Sequence, residues 1–184
     1  MNAPASMALR KVNEEVFVAL DRIVRLGAEQ VAFLKQQALS NERKRARICA
    51  HRSNAENLHE MLIAISPDSY IHPHKHLSKA ESFHIVEGKV DVVIFDEAGD
   101  ITEVVELGDP STGRNFYYRL SDSRFHTLVI RGGFLVVHEV TNGPFRKEDT
   151  ILAPFAPPES RREEALAYMR ALVSKLAARH ARRN

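Results

Sequence analysis

From Tyr70 to Gly88 the chain reads Tyr-Ile-His-Pro-His-Lys-His-Leu-Ser-Lys-Ala-Glu-Ser-Phe-His-Ile-Val-Glu-Gly, which gathers four of the nine histidines and a carboxylate into one short stretch. Imidazole and carboxylate are the side chains that ligate borderline divalent ions, so the stretch reads as a metal site. His74 and His76 are separated by one residue. On an extended strand alternate side chains share a face, so both rings point the same way. Glu81 follows after a loop long enough to return a carboxylate beside the two rings, and Gly88 permits a sharp turn into the next strand. A fourth ligand must come from a distant strand, and His126 in Ser-Arg-Phe-His-Thr-Leu-Val-Ile is the best placed, with Leu128 and Ile130 sharing its parity. His72 has the parity of His74 and His76 and is either a support for the ligands or a competing ligand. His84, opposite in parity to Glu81, is expected to face outward. Three imidazoles and one carboxylate suit one divalent transition metal, Fe, Mn, Ni, Co or Zn, and coordination positions left open would admit water and substrate.

Such a site needs strands to hold it. From Leu58 onward short apolar runs rich in Val, Ile, Phe and Tyr are punctuated by Gly, Pro, Asp and Ser, which predicts strands near 58–65, 69–76, 81–87, 89–96, 101–107, 115–120, 125–131 and 133–141. Asp96 to Asp100 reads as a hairpin loop, and Gly132-Gly133 as a second, tighter one. Short antiparallel strands of this number predict a mainly β fold, a jelly roll or small barrel that closes its edges around a pocket. The proline-rich segment after Thr141 cannot be a central strand and is expected to wrap the barrel. Upstream, residues 1 to 8 look unstructured, Val12 to Leu26 fits a short strand followed by a turn or helix, and Ala28 to Ser40 predicts a helix with Val31, Leu34 and Ala38 on one face. Ser160 followed by Glu163 is a capping-box pattern, and Leu166, Met169, Leu172, Val173 and Leu176 fall on one side of a C-terminal amphipathic helix that packs on the barrel or on a second subunit. The domain reading is therefore an N-terminal extension over 1–52, a barrel with its wrapping segment over 53–158, and a basic helix over 159–184.

Composition narrows the function classes. At 184 residues, with 44% apolar and 27% charged residues, the chain fits one soluble globular domain with terminal additions. No apolar run is long enough to span a bilayer, and Lys11, Glu14, Glu15 and Asp21 interrupt any signal-peptide core, so a cytoplasmic location is expected. The single cysteine, Cys49, excludes an internal disulfide and leaves metal ligation to histidine and carboxylate. The formal charge is +2, but residues 160–184 carry seven Arg or Lys against two Glu, so the remainder sits near −3 (+2 less +5). Arg43, Lys44, Arg45, Arg47 and Arg52 form a second basic cluster. It could grip phosphate, but no aromatic platform or nucleic-acid motif accompanies it, so a solvated or intramolecular role is expected and nucleic acid is not a predicted partner.

The spacing of His74, His76, Glu81 and Gly88 resembles the first motif of the cupin superfamily, with Asp68 standing where that motif opens on glycine. Of the second motif only His126 matches, since residues 121–124 lack its proline and glycine. More narrowly the chain resembles the WbuC family of cupin-fold metalloproteins, on the run from Arg45 to His51, Pro73 to His76, Glu81 to Phe83, Val93 to Asp96, Phe125 to Thr127, Gly143 to Phe145 and Ala153 to Pro157. The resemblance implies a single cupin barrel, that is a double-stranded β-helix, with a bound metal, and a setting in surface-polysaccharide biosynthesis.

Three functions fit these features. The first is a metal-dependent enzyme acting as a Lewis acid on a small sugar or sugar-derived substrate, such as a nucleotide-sugar, by isomerase, epimerase or lyase chemistry. Tyr117, Tyr118 and Arg119 could hold such a substrate, although paired strand tyrosines also serve packing, and Arg47 or His51 could add phosphate recognition. The alternatives are an Fe-dependent dioxygenase and a non-catalytic sugar-binding or regulatory module. An edge strand and the C-terminal helix make a homodimer plausible.

Overall fold

The computed structural model describes residues 7–181. In chain order its regular elements are β1 (Leu9–Lys11), β2 (Val16–Ala19), α1 (Ala28–Ser40), β3 (Arg45–Cys49), β4 (Leu58–Ile65), β5 (His74–His76), β6 (Glu81–Phe95), β7 (Ile101–Gly108), β8 (Tyr117–Leu120), β9 (Phe125–Asn142), β10 (Thr150–Leu152) and α2 (Arg162–Ala181). The unstructured reading of residues 1 to 8 lies outside the described residues, apart from Met7 and Ala8. Met7 is buried under α1 with Phe17, Phe33 and Leu34.

The strands run β1-β2-β3-β4-β9-β5-β10, and β6 pairs with β7, β8 and β9. Every pairing of these strands is antiparallel except β2 with β3, which follows because α1 separates those two strands. The result is a jelly-roll barrel with α1 on one outer face and α2 on another. Alternation along each strand sorts the side chains. On β3, Cys49 faces the barrel interior with Met61, Ile63 and Phe83, while Ala46 and Ile48 face α1 with Leu34 and Ala38. By the same alternation Arg45 and Arg47 share the interior side with Cys49.

Two predicted hairpins are single bent strands instead. The runs expected at 81–87 and 89–96 form β6, and those at 125–131 and 133–141 form β9. The two pair on both sides of a break in register, from Glu87 opposite Val136 to Lys89 opposite Arg131. Gly88 (φ +91°) and Gly132 (φ +90°) supply the backbone for that bend rather than for tight turns. At Gly88 a Cβ would stand 2.3 Å from the carbonyl oxygen of Phe134, so the close approach of the two strands requires glycine there. The strand predicted over 69–76 shrinks to 74–76, because the chain turns from Ser66 and Pro73 offers no amide hydrogen to a ladder.

The helix predicted over 28–40 is α1. The C-terminal helix packs on the barrel, but with a rotated face. Ala165, Leu172 and Leu176 are buried, with Tyr168 and Met169, against Val93, Phe95, Phe125 and Val129, whereas Leu166 and Val173 are exposed. No helix among the described residues is long and apolar enough to cross a membrane.

Candidate metal centre and its cavity

Three strand ends bring the metal candidates together. β5 carries His74 and His76, its pairing with β9 sets His74 directly opposite His126, and β6 begins with Glu81 on the other side of β9. One donor atom from each of His74, His76, Glu81 and His126 lies within 4.8 Å of the others. His126 Nε2 is 3.3 Å from Glu81 Oε1, and His76 Nε2 is 3.4 Å from Glu81 Oε2.

The hydrogen bonds on the far side of each ring fix which nitrogen is free. His74 Nδ1 donates to the carbonyl of His72 at 2.9 Å, and His126 Nδ1 donates to the carbonyl of Arg124 at 3.0 Å. A carbonyl can only accept, so these rings carry their proton on Nδ1 and present a bare Nε2. His76 Nδ1 is 3.2 Å from the Thr150 hydroxyl, which leaves its Nε2 pointing the same way. Glu81 Oε1 and His126 Nε2 are buried without a hydrogen-bond partner among the described residues. Buried polar atoms are rarely left unpaired, and two aimed at one point are what a cation would satisfy.

The charges agree with that arrangement. Burial, reinforced by the neighbouring His126 and His76, pushes His74 down to about 3, so it is neutral and ready to ligate at ordinary pH. Burial alone would raise the Glu81 carboxyl, but the His126 and His76 imidazoles overcome it and hold the group below the ordinary carboxylate range. Burial would likewise lower His126, and Glu81 overcomes it in the upward direction. A divalent cation set between the two would satisfy both the buried carboxylate and the imidazole nitrogen. His74, His76, Glu81 and His126 together fit one divalent transition metal.

The centre lines a cavity of about 420 Å³ inside the barrel, which continues past the ligands to Arg47, His51, His59 and Glu139. A larger hollow of about 680 Å³ lies between α1 and the outer face of the sheet, but none of the metal candidates lines it. Of the other sequence candidates, His72 lies on the cavity wall, yet its Nε2 is held 3.0 Å from the Ala153 carbonyl and it stands outside the ligand group. Arg47 and His51 also line the cavity. Tyr118 does not: its ring packs in the interior core 5.7 Å from Phe83, and burial pushes its hydroxyl well above the ordinary phenol range.

Sequence reasoning missed Glu139. It follows Leu135 and Val137 on the inward parity of β9 and sits opposite Met61 and Phe83, both interior residues. No hydrogen bond or ion pair engages its carboxyl among the described residues. Burial, and after it the negative charge of Glu81, pushes it up to about 8 against the opposing pull of Arg47 and His126. The signal was present as a lone acid at an inward position in an apolar strand.

The basic segment resolves into two populations. Arg43 binds Glu159 at 2.8 Å and Glu15 at 3.0 Å, and Arg45 binds Glu159 at 2.9 Å, so both are neutralised within the chain at the cavity rim. Arg47, between them and Cys49, pairs with no carboxylate among the described residues.

Comparison with known proteins agrees on fold and goes little further. A family model described as a domain of unknown function, DUF6016, matches residues 26–107. No curated protein matches the chain. Among solved structures, protein SO0799 from Shewanella oneidensis is similar at 18% identity, with a TM-score of 0.50 over 70% of this chain and 83% of that one. TT1209 from Thermus thermophilus matches at 19% identity and a TM-score of 0.44 over 56% of this chain and 87% of that one. Oxalate decarboxylase from Bacillus subtilis matches at 20% identity and a TM-score of 0.43, over 53% of this chain and 24% of the decarboxylase. The chain thus spans about a quarter of the length of the decarboxylase chains it matches. The fold is a single cupin-type barrel with two helices packed on its outside, and it brings together three histidines and a glutamate that fit a divalent metal.

Proposed function

We propose that this protein is a metal-dependent enzyme of isomerase, epimerase or lyase type, acting on a small sugar or sugar-derived molecule. The observation that carries the reading is Glu139: a carboxyl with no hydrogen-bond partner among the described residues, in the same cavity as the free histidine nitrogens, and with a pKa of about 8. A carboxyl left unpaired inside a barrel costs stability, so a chemical role is the natural account of its presence. Bound at His74, His76, Glu81 and His126, a divalent metal would supply Lewis-acid polarisation of a substrate oxygen. Glu139, poised near neutral pH, can take a proton from the carbon beside that oxygen and return one to the same carbon or a neighbouring one. His74 and His126 stay fixed by their bonds to the His72 and Arg124 carbonyls, and Phe83, Met61 and Ile63 supply the apolar part of the cavity lining. Membership of the WbuC type, a role in surface-polysaccharide biosynthesis, a cytoplasmic site of action and a homodimer belong to the same proposal and rest on the sequence alone.

The test is solvent exchange. Tag-free protein would be analysed for metal, then incubated in D2O with a panel of sugars and sugar acids and followed by proton NMR. The expected result is deuterium appearing at one carbon-bound position of one substrate class, abolished by chelation, restored by metal and lost in Glu139→Gln. Oxygen uptake without exchange would replace the proposal with dioxygenase chemistry. Neither exchange nor oxygen uptake in metal-loaded protein would point to a binding module instead.

A further inference from the structure

Beyond the metal, one wall of the cavity has the makings of a second recognition site. On the interior face of β3 three side chains follow one another, Arg45, Arg47 and Cys49, opposite Ile65, Ile63 and Met61 of β4. The chain neutralises Arg45, and Arg43 beside it, with Glu15 and Glu159. Among the described residues it supplies no carboxylate partner for Arg47, an exposed residue that lines the cavity and whose side chain hydrogen-bonds with the Cys49 thiol. Deeper in the same wall His51 and His59 stack face to face, with ring centres 4.1 Å apart and planes 6° from parallel. His51 Nδ1 lies 3.2 Å from both the N–H and the carbonyl of Glu60, which engages that nitrogen and leaves Nε2 without a hydrogen-bond partner among the described residues. His59 is 4% exposed, and its Nε2 has no hydrogen-bond partner among the described residues. Arg47, which meets the Cys49 thiol but no carboxylate ion pair, and two imidazoles with unused nitrogens line one cavity as a donor-rich surface, with Glu139 the acid that shares the cavity.

We infer that Arg47, His51 and His59 form an oxyanion subsite, which holds a carboxylate or phosphate group of the substrate while the rest of the molecule reaches the metal ligands. The guanidinium fork matches either group in two parallel hydrogen bonds, which a lysine cannot reproduce. The inference rests on the proposed function only in taking this cavity for a substrate site. It narrows the substrate class to sugar acids and sugar phosphates over neutral sugars.

Isothermal titration at low ionic strength tests it, with inorganic phosphate and glycolate as separate probes against wild type, Arg47→Gln, Arg47→Lys, Arg119→Gln and His76→Ala. Arg119 is exposed on β8 and does not line the cavity, so the substrate contact considered for it from the sequence is not formed there, and Arg119→Gln removes the same charge as a control for the general field. The expected result is saturable binding of at least one probe, weakened on the order of tenfold or more in Arg47→Gln, only partly restored in Arg47→Lys and unchanged in Arg119→Gln. The tighter probe names the group. Retention of that binding in metal-depleted His76→Ala would place the anion on the wall rather than on a metal, whatever becomes of the metal proposal. Loss of binding in His76→Ala with no change in Arg47→Gln would overturn the subsite and leave the metal reading intact. No binding to wild type at any attainable concentration, or equal weakening by Arg119→Gln, would also overturn it.

Discussion

Replacing Glu139 by glutamine should change how stability depends on pH, by an amount the structure sets. The carboxyl moves from an ordinary 4.5 to about 8 on folding, first through burial and then through the charge of Glu81. A group whose pKa rises on folding adds stability that is complete below its unfolded pKa and drains away as pH climbs through the folded one. For Glu139 that window runs from about 4.5 to about 8. At about 1.4 kcal/mol per pH unit the full difference corresponds to roughly 5 kcal/mol. Water entering from the open cavity reduces it, so roughly 2–3 kcal/mol is the expected loss in wild type. Glutamine has nearly the same shape and cannot ionise, so Glu139→Gln should match wild type at about pH 5 and exceed it by that amount at about pH 9. Urea unfolding of chelator-treated protein at the two pH values measures the difference, and chelation matters because a metal would cancel the charge of Glu81. Equal pH dependence in wild type and variant would refute the reasoning. Glu139 would then be ionised, or reach water, in a way its position between Met61 and Phe83 does not suggest.

Four further outcomes follow from the same geometry. His126→Ala should lose the roughly one equivalent of first-row metal that elemental analysis finds in tag-free wild type, and the wild type alone should gain thermal stability when metal is added back. Thr150→Val removes the hydroxyl beside His76 Nδ1 and should weaken metal binding by roughly 10–100-fold in a competitive chelator titration without unfolding the barrel. Because Glu81 raises His126, protons should begin to compete with metal at a higher pH than they would for an ordinary imidazole, visible as affinity that falls with acidification. Gly88→Ala places a Cβ 2.3 Å from the Phe134 oxygen at a positive φ and should cost roughly 2–4 kcal/mol in chemical denaturation.

What the sequence disclosed depended on whether a signal was local. The alternation of His74 and His76, the loop to Glu81 and the helix at 28–40 are set by neighbouring residues, and they appear in the structure as the pattern implies. The bends of β6 and β9 are not local. A Gly-Gly pair reads as a hairpin turn in isolation, and only the close approach of Phe134 to Gly88 shows that both strands turn a barrel corner together. The face of α2 is likewise not set locally. A stripe at 166, 169, 172, 173 and 176 and one at 165, 168, 169, 172 and 176 are equally helical, and the choice falls to what Phe95 and Phe125 can receive. The fates of Arg43, Arg45 and Arg47 diverge over four residues because Glu159, more than a hundred residues away, reaches the first two and not the third.

That long-range closure also explains why the candidate metal ligands hold their geometry on so short a strand. β5 has three residues and could not position two imidazoles by its own ladder. It is gripped from both sides: β9 pairs it at His74, and β10 pairs it along Thr150 to Leu152. The return segment adds three more ties, from Ala153 N–H to the Pro73 carbonyl, from His72 Nε2 to the Ala153 carbonyl, and from the Tyr70 hydroxyl to the Pro157 carbonyl. His72, which has the parity of a ligand, spends its ring nitrogen anchoring this strap instead. The proline-rich segment that sequence reasoning assigned to wrapping therefore does more than cover an edge. It touches His76 through Thr150 and ties down the chain that carries His74, so the geometry of the candidate ligands depends on residues 150–157 as well as on their own strands.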